Sequence, residues 1–253
     1  MTLINYCDQH ILSEHLRLKG ILDGMPRYKV GTHNGLQVIR EYSGTGNKIV
    51  RKTTHVNGRS YGGMHQKLLM YNDYENRLKI FSEEMKRRHL TIPEDFKLQS
   101  DPSVFNINYW NALTPCSNSH EIHTDYYDDF GYHVRSRGEM LVGNSLKDLF
   151  LEAKYEPCII LKDGRKITPD YAFPVHAIDR CFFIEFIGMS NNEQYLNYNH
   201  GKIDEYMRNS ILPNRDLILI CGTDIWLPSQ DSIKRTIASF INNAVENVYN
   251  KKS

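Results

Sequence analysis

The sequence lacks several features, and each shortage removes a class of function. Its five cysteines, Cys7, Cys116, Cys158, Cys181 and Cys221, are odd in number, widely scattered and without a C-x-x-C pair. That pattern supports neither a disulfide framework nor a cysteine zinc site, and it fits a reducing cytosol. Cys158, Cys181 and Cys221 fall in apolar stretches and are expected as small core residues of strands. The formal net charge is only +1, so any affinity for nucleic acid must come from local patches. Nothing near the N-terminus reads as a secretion signal, and no apolar run approaches membrane-spanning length. The expectation is a cytoplasmic protein without a membrane partner. Neither G-x-x-x-x-G-K-S/T nor G-x-G-x-x-G occurs, so no glycine-rich phosphate cradle is indicated, and Gly62-Gly63 reads as a loop tip. Internal repeats and low-complexity tracts are also lacking.

What remains is a chain of 253 residues, 40% hydrophobic and 24% charged, enough for one large domain or two small ones. Residues 1–90 read as an N-terminal module. A helix over 3–22 leads to strands over 28–33 and 36–42, joined by Asn34-Gly35, the strongest two-residue hairpin signal. A second turn at 43–47 leads to a third strand over 48–54. This meander carries Arg27, Lys29, Arg40, Lys48, Arg51, Lys52 and Arg59 beside Tyr28, Tyr42 and Tyr61. Such a set can grip phosphates and stack bases, or simply solvate a sheet face. A long charged helix over 64–89 follows, with Leu68, Tyr71, Glu75, Leu78 and Met85 as its stripe. It ends in Lys86-Arg87-Arg88-His89, which suits a helix C-terminus.

Residues 91–131 read as a linker region, punctuated by Pro93, Pro102 and Pro115, with a short helix opening at Tyr109-Trp110. His120 and His123 stand three apart with Asp125, Asp128 and Asp129 nearby, but a helical two-histidine metal site wants i, i+4 spacing. Those acids are expected to meet the basic segment or water.

The chemistry concentrates between Arg135 and Tyr206, in the third segment, 132–253. A helix over 136–153 has Val142, Leu146, Leu149 and Phe150 as its stripe, and Glu139 shares their face. Ser136 and Glu139 also have capping-box spacing, which would give Glu139 a purely structural role. An apolar strand over 157–161, the turn Asp163-Gly164 and a returning strand over 165–173 follow. Pro169 marks an edge or irregularity there, directly before Asp170. Glu185 interrupts the apolar strand 181–187, where alternation puts it on one face with Cys181, Phe183 and Ile187. Carboxylates inside apolar segments are costly unless paired, and a divalent metal is the natural partner of convergent ones. A helix over 191–209, an apolar strand over 216–221 and an amphipathic helix over 229–249 complete the chain.

In that order these elements and acids resemble the PD-(D/E)xK nuclease superfamily. The pattern R-S-x-x-E, D-G-R-x-x-x-P-D-Y/F, E-x-x-G-M, K-I-x-x-Y is similar to an uncharacterised bacterial group within it. The resemblance spans roughly 132–222. It implies an α/β (α+β) restriction-endonuclease-like core of helix, three strands, helix and strand. It also implies a magnesium-dependent endonuclease, with manganese able to substitute and DNA the favoured substrate. Glu139, Asp170 and Glu185 would be the acids. Asp170, Glu185, Glu139 and the Phe186 backbone carbonyl would be metal ligands, and Arg135, Arg137, Arg40, Lys48, Arg51 and Lys52 nucleic-acid contacts. The family lysine is expected at position 187, which is Ile187 here, and Phe186 stands where the group often has histidine. Lys202, seven after Tyr195 and four before Tyr206 on the next helix, is the candidate replacement, and Lys166 the reserve. A homodimer is compatible with this reading. Two alternatives stay open: a degenerate nuclease fold that binds nucleic acid without cleaving it, and a non-enzymatic adaptor.

Overall fold

A computed structural model shows a chain of mixed α+β class and describes residues 6–44, 48–116, 122–188, 193–223 and 225–250. The side chains of Gln194, Tyr195, Leu196 and Tyr198 lie outside that description. So do His120, the end of the predicted turn at 43–47 and the predicted start of the second core helix at 191–192. The chain separates into two units, the first essentially Ile11–Phe96, the second Lys97 onward together with the residues leading up to His10.

The first unit contains most of α1 (Asp8–Gly24), the strands β1 (Arg27–His33), β2 (Leu36–Ser43) and β3 (Val50–His55), and α2 (Tyr61–Arg87). The β1–β2 turn has Asn34 at φ 50° and Gly35 at φ 75°, the two positive φ values of a type I′ hairpin. Tyr28 pairs with Glu41 and Val30 with Ile39, so Tyr28 and Ile39 share a face. They pack there with Met64, Leu68 and Tyr71 of α2. Gly62 and Gly63 are not a loop tip: they form the first turn of α2, behind Ser60 at the N-cap position. Burial of Met64 one turn later extends the helix through them despite their poor propensity. The apolar stripe of α2 is Met64, Leu68, Tyr71, Phe81 and Met85, while Leu78 is half-buried and Glu75 is exposed. Its basic end is used locally, since Arg87 and Arg88 donate to the buried Glu84 carboxylate at 2.9 and 2.6 Å.

The second unit holds α3 (Ile107–Ala112), α4 (Arg137–Asp148), β4 (Lys154–Tyr155), β5 (Ile159–Ile160), β6 (Lys166–Ile167), β7 (Tyr171–Val175), β8 (Arg180–Ile187), α5 (Glu193–Arg208), β9 (Leu217–Cys221) and α6 (Gln230–Asn250). Its main sheet runs β4-β7-β8-β9, and β5-β6 is a separate hairpin. β7 is antiparallel to β4 and β8, whereas β9 is parallel to β8, the connection being made through α5.

Several predicted boundaries move. The strand expected over 165–173 is two strands, broken at 168–170, where Pro169 cannot donate to a ladder. The chain there leaves one sheet for another. The helix expected over 136–153 stops at Asp148, since Leu151 N bonds Leu146 O and Phe150 N bonds Lys147 O, at 3.1 and 3.0 Å. That is a Schellman end with Phe150, at φ 58°, in the left-handed position. The residues so freed lead into β4.

The stretch read as a linker contributes core. Phe105, Trp110 and Leu113 are buried with Cys181, Phe183, Tyr206 and Leu217. Lys154 fastens the end of α3, donating to Leu113 O at 2.8 Å while its ammonium lies 4.5 Å from the centre of the Trp110 ring. Asp128 does not meet the basic segment. It is buried and accepts from the Tyr171 hydroxyl at 2.7 Å and from the Tyr132 and Phe130 amides. Of the three cysteines expected in the core, Cys181 is buried, Cys158 half-buried and Cys221 exposed. Among the described residues no helix is long and apolar enough to cross a membrane.

α5 ends like α4, with Ile211 N on Tyr206 O at 2.9 Å and Ser210 at φ 66°. A left-handed non-glycine residue is strained, and Ser210 is exposed. Ser210→Gly is therefore expected to stabilise the protein by up to about 1 kcal/mol, read as a higher urea midpoint. Gly138→Ala should do the reverse. A Cβ there would lie 1.9 Å from the Phe186 ring, an overpacking that costs about 1–3 kcal/mol.

Candidate active site

The site is set by strand register. Tyr171 lies across from Ile184 and Ala172 from Phe183 on the antiparallel β7–β8 pair. Asp170 is the residue just before that ladder and Glu185 the one just after Ile184, so the two carboxylates come near enough for their charges to interact. Alternation puts Glu185 on the face of β8 that carries Phe183. Asp170 stands just before β7, after Pro169, and its Oδ2 accepts the Phe186 amide at 2.6 Å. Glu185 is 5% exposed, in the middle of the sheet.

α5 supplies the partners of Glu185. The Lys202 ammonium is 2.7 Å from Glu185 Oε1. The fully buried Tyr206, four residues on and hence on the same helical face, donates its hydroxyl to the same oxygen. Tyr195, expected on that face too, has its side chain outside the described residues.

Glu139 comes from α4. Its amide donates to Ser136 Oγ at 3.1 Å, and Ser136 Oγ donates to Glu139 Oε1 at 2.9 Å. Its Oε2 accepts from the Arg135 amide at 3.0 Å and the Tyr155 hydroxyl at 2.7 Å. Glu139 is thus a helix-capping residue as its spacing allows. Its charge is nevertheless felt by both other acids. Burial, then Glu185, then Glu139 raise the Asp170 carboxyl well above its usual range, against the pull of Lys202 and the Phe186 amide. Burial raises Glu185 as well, and Lys202 and Tyr206 oppose it. The Tyr155 hydroxyl is pushed up by burial and by Glu139, which keeps it a donor.

The remaining sequence candidates are dispersed. Arg135 is half-buried and its guanidinium holds Glu156, with Nη2 3.1 Å from Oε2. Arg137 is exposed on the first turn of α4. Lys166 is exposed in the separate β5–β6 hairpin, and the thiol it influences is Cys158, not the acids. In the first unit Arg40 donates to Thr32 O at 2.7 Å, and Lys48, Arg51 and Lys52 are exposed. Phe186 contributes its amide to Asp170. No local pattern signals the Tyr155 contact. The Tyr206 hydroxyl was signalled only by its i, i+4 distance from Lys202.

Among the described residues no group of three or more His, Cys, Asp or Glu side chains is arranged to hold a metal ion. Chemically, Asp170 and Glu185 are a fit for magnesium, which takes one or two carboxylates and keeps several waters. Compared with family models, curated proteins and solved structures, the chain matches none.

The raised acids make a stability prediction. A carboxyl whose folded pKa exceeds its unfolded value binds more protons in the native state, so stability falls as pH rises between the two. For Asp170 that window opens near pH 4, about its unfolded value. Metal-free Asp170→Asn should therefore melt higher than the parent at pH 8 and match it at pH 4, by thermal scans in EDTA. An equal shift at both pH values would count against repulsion at this position.

Proposed function

We propose that the chain is a magnesium-dependent endonuclease that hydrolyses phosphodiester bonds of nucleic acid, DNA favoured, on a restriction-endonuclease-like core. The observation that carries this reading is the Lys202 ammonium 2.7 Å from Glu185 Oε1, with both groups acting electrostatically on the Asp170 carboxylate. The chain order α4, β7, β8, α5, β9 supports it, since Glu139, Asp170, Glu185 and Lys202 follow one another along it as the sequence resemblance expects.

Asp170 and Glu185 would hold the ion, with Glu139 adding negative potential behind them. Magnesium, when bound, supplies Lewis-acid relief of phosphate charge and a more acidic water. Lys202 has a compensating part to play. Lys202 would give up Glu185 Oε1 to a bound ion, and its ammonium would then be placed to stabilise phosphate charge or orient the water. Arg137, exposed two residues before Glu139, is a phosphate contact. Arg40, Lys48, Arg51 and Lys52 would add substrate affinity from the first unit. Arg135, held by Glu156, is the weaker candidate.

A second reading, binding without cleavage, is favoured by one observation: both Glu139 oxygens already serve the α4 cap and Tyr155. Incubation of the protein with a DNA and RNA panel in magnesium or EDTA separates the two. The nuclease reading expects magnesium-dependent cleavage that Glu185→Gln abolishes, and binding without cleavage under every metal condition would refute it.

The lysine makes the sharper prediction. Lys202→Ala should lower the cleavage rate about a hundred- to a thousandfold while manganese binding, measured by calorimetry, survives. Lys166→Ala should change little. Asp170→Ala should abolish manganese binding with the fold intact.

A further inference from the structure

The chain leaving β9 turns back beside the site. Gly222 N donates to Ile187 O at 2.8 Å, which ties it to the end of β8. A Cβ at Gly222 would be 3.1 Å from the Phe186 ring, so this exit lies against the residue that follows Glu185. Thr223 N donates to Trp226 O at 2.7 Å and Trp226 N to Thr223 Oγ1 at 2.9 Å. The turn so closed holds out two large apolar side chains, Ile225 at 92% and Trp226 at 59% exposure. With Leu141, Leu227 and the exposed Arg137 they line a shallow cavity of about 510 Å³.

Exposed indole is uncommon without a partner. The other tryptophan, Trp110, is 5% exposed inside the core. Beside Trp226 stands a cation, and that cation is two residues from Glu139. An indole for a base and a guanidinium for its phosphate is the pairing that single strands require. A stacked base in a duplex presents no free face to an indole.

We infer that Trp226 and Arg137 form a single-strand subsite flanking the Asp170–Glu185 cleft, in which the indole stacks on a nucleobase and the guanidinium holds the adjoining phosphate. The inference rests on the nuclease reading for its substrate class, but not on cleavage. It makes the preferred substrate a single-stranded or unpaired stretch of nucleic acid.

The test uses the full-length protein in EDTA with an oligothymidylate and a blunt duplex, so that no cleavage intervenes. Trp226 is the exposed fluorophore. Its emission should be quenched by the single strand, and far less by the duplex. By anisotropy of a labelled oligothymidylate, Trp226→Ala should weaken binding roughly five- to a hundredfold. Trp226→Phe should restore most of that affinity while removing the quenching signal. Arg137→Ala should reduce the salt slope by about 0.7. Unchanged affinity in Trp226→Ala, or equal quenching by the duplex, overturns the subsite, even if magnesium-dependent cleavage is found. Quenching and its loss in the variant, without cleavage under any metal condition, would leave the subsite standing and remove the nuclease reading.

Discussion

The antiparallel register that sets Tyr171 across from Ile184 also leaves Asp170 and Glu185 within range of each other's charge, and much of the second unit answers the consequence. Two like charges this close, where burial strips them of water, repel each other and resist ionisation together. A sheet of this kind could avoid the cost with any apolar pair. Instead the chain brings a lysine and a tyrosine hydroxyl from α5 to Glu185, and a backbone amide from Phe186 to Asp170. α5 is the crossover that makes β9 parallel to β8, so the connection that completes the sheet also delivers the neutralising cation.

Glu139 shows how one side chain holds two roles. Its hydrogen bonds are those of a capping box extended by Tyr155, and they account for its position without any appeal to chemistry. Its charge raises both other acids, an effect a cap does not need. A glutamine there would offer one acceptor oxygen where Glu139 uses two, Oε1 for the Ser136 hydroxyl and Oε2 for the Arg135 amide and the Tyr155 hydroxyl. The cap thus calls for a carboxylate, and the repulsion felt by Asp170 and Glu185 comes with it.

The legible parts of the sequence were those with local causes. Asn34-Gly35 specifies its turn by φ alone, and Ser136 with Glu139 specifies the start of α4. The alternation of Cys181, Phe183 and Glu185 gives the face of β8, and the interval from Lys202 to Tyr206 gives the face of α5. What was not legible depended on distant partners. The end of α4 turns on Phe150 taking a left-handed conformation that local rules reserve for glycine. The strand break at Pro169 looked like an edge because nothing nearby says that the next residues pair with a different sheet. Residues 91–131 read as linker because their periodicity is weak, yet Phe105, Trp110 and Leu113 pack on Phe183 and Tyr206, residues roughly seventy to a hundred positions away. Tyr155 was missed because β4 is two residues long, too short to carry a period.

The same contrast bears on the lysine. A lysine at position 187 would sit on the strand of Glu185 with its rotamers fixed by the sheet. Ile187 is instead 6% exposed, and the positive charge arrives on a helix, through a four-carbon stem whose side chain is 21% exposed. A helix-borne ammonium is easier to displace than a strand-borne one, because its stem can swing toward solvent without disturbing the ladder. Where a strand lysine would be a fixed part of the site, Lys202 is a counterion held to Glu185 by a stem that can move, and the burial that makes the two acids costly is what makes that counterion necessary.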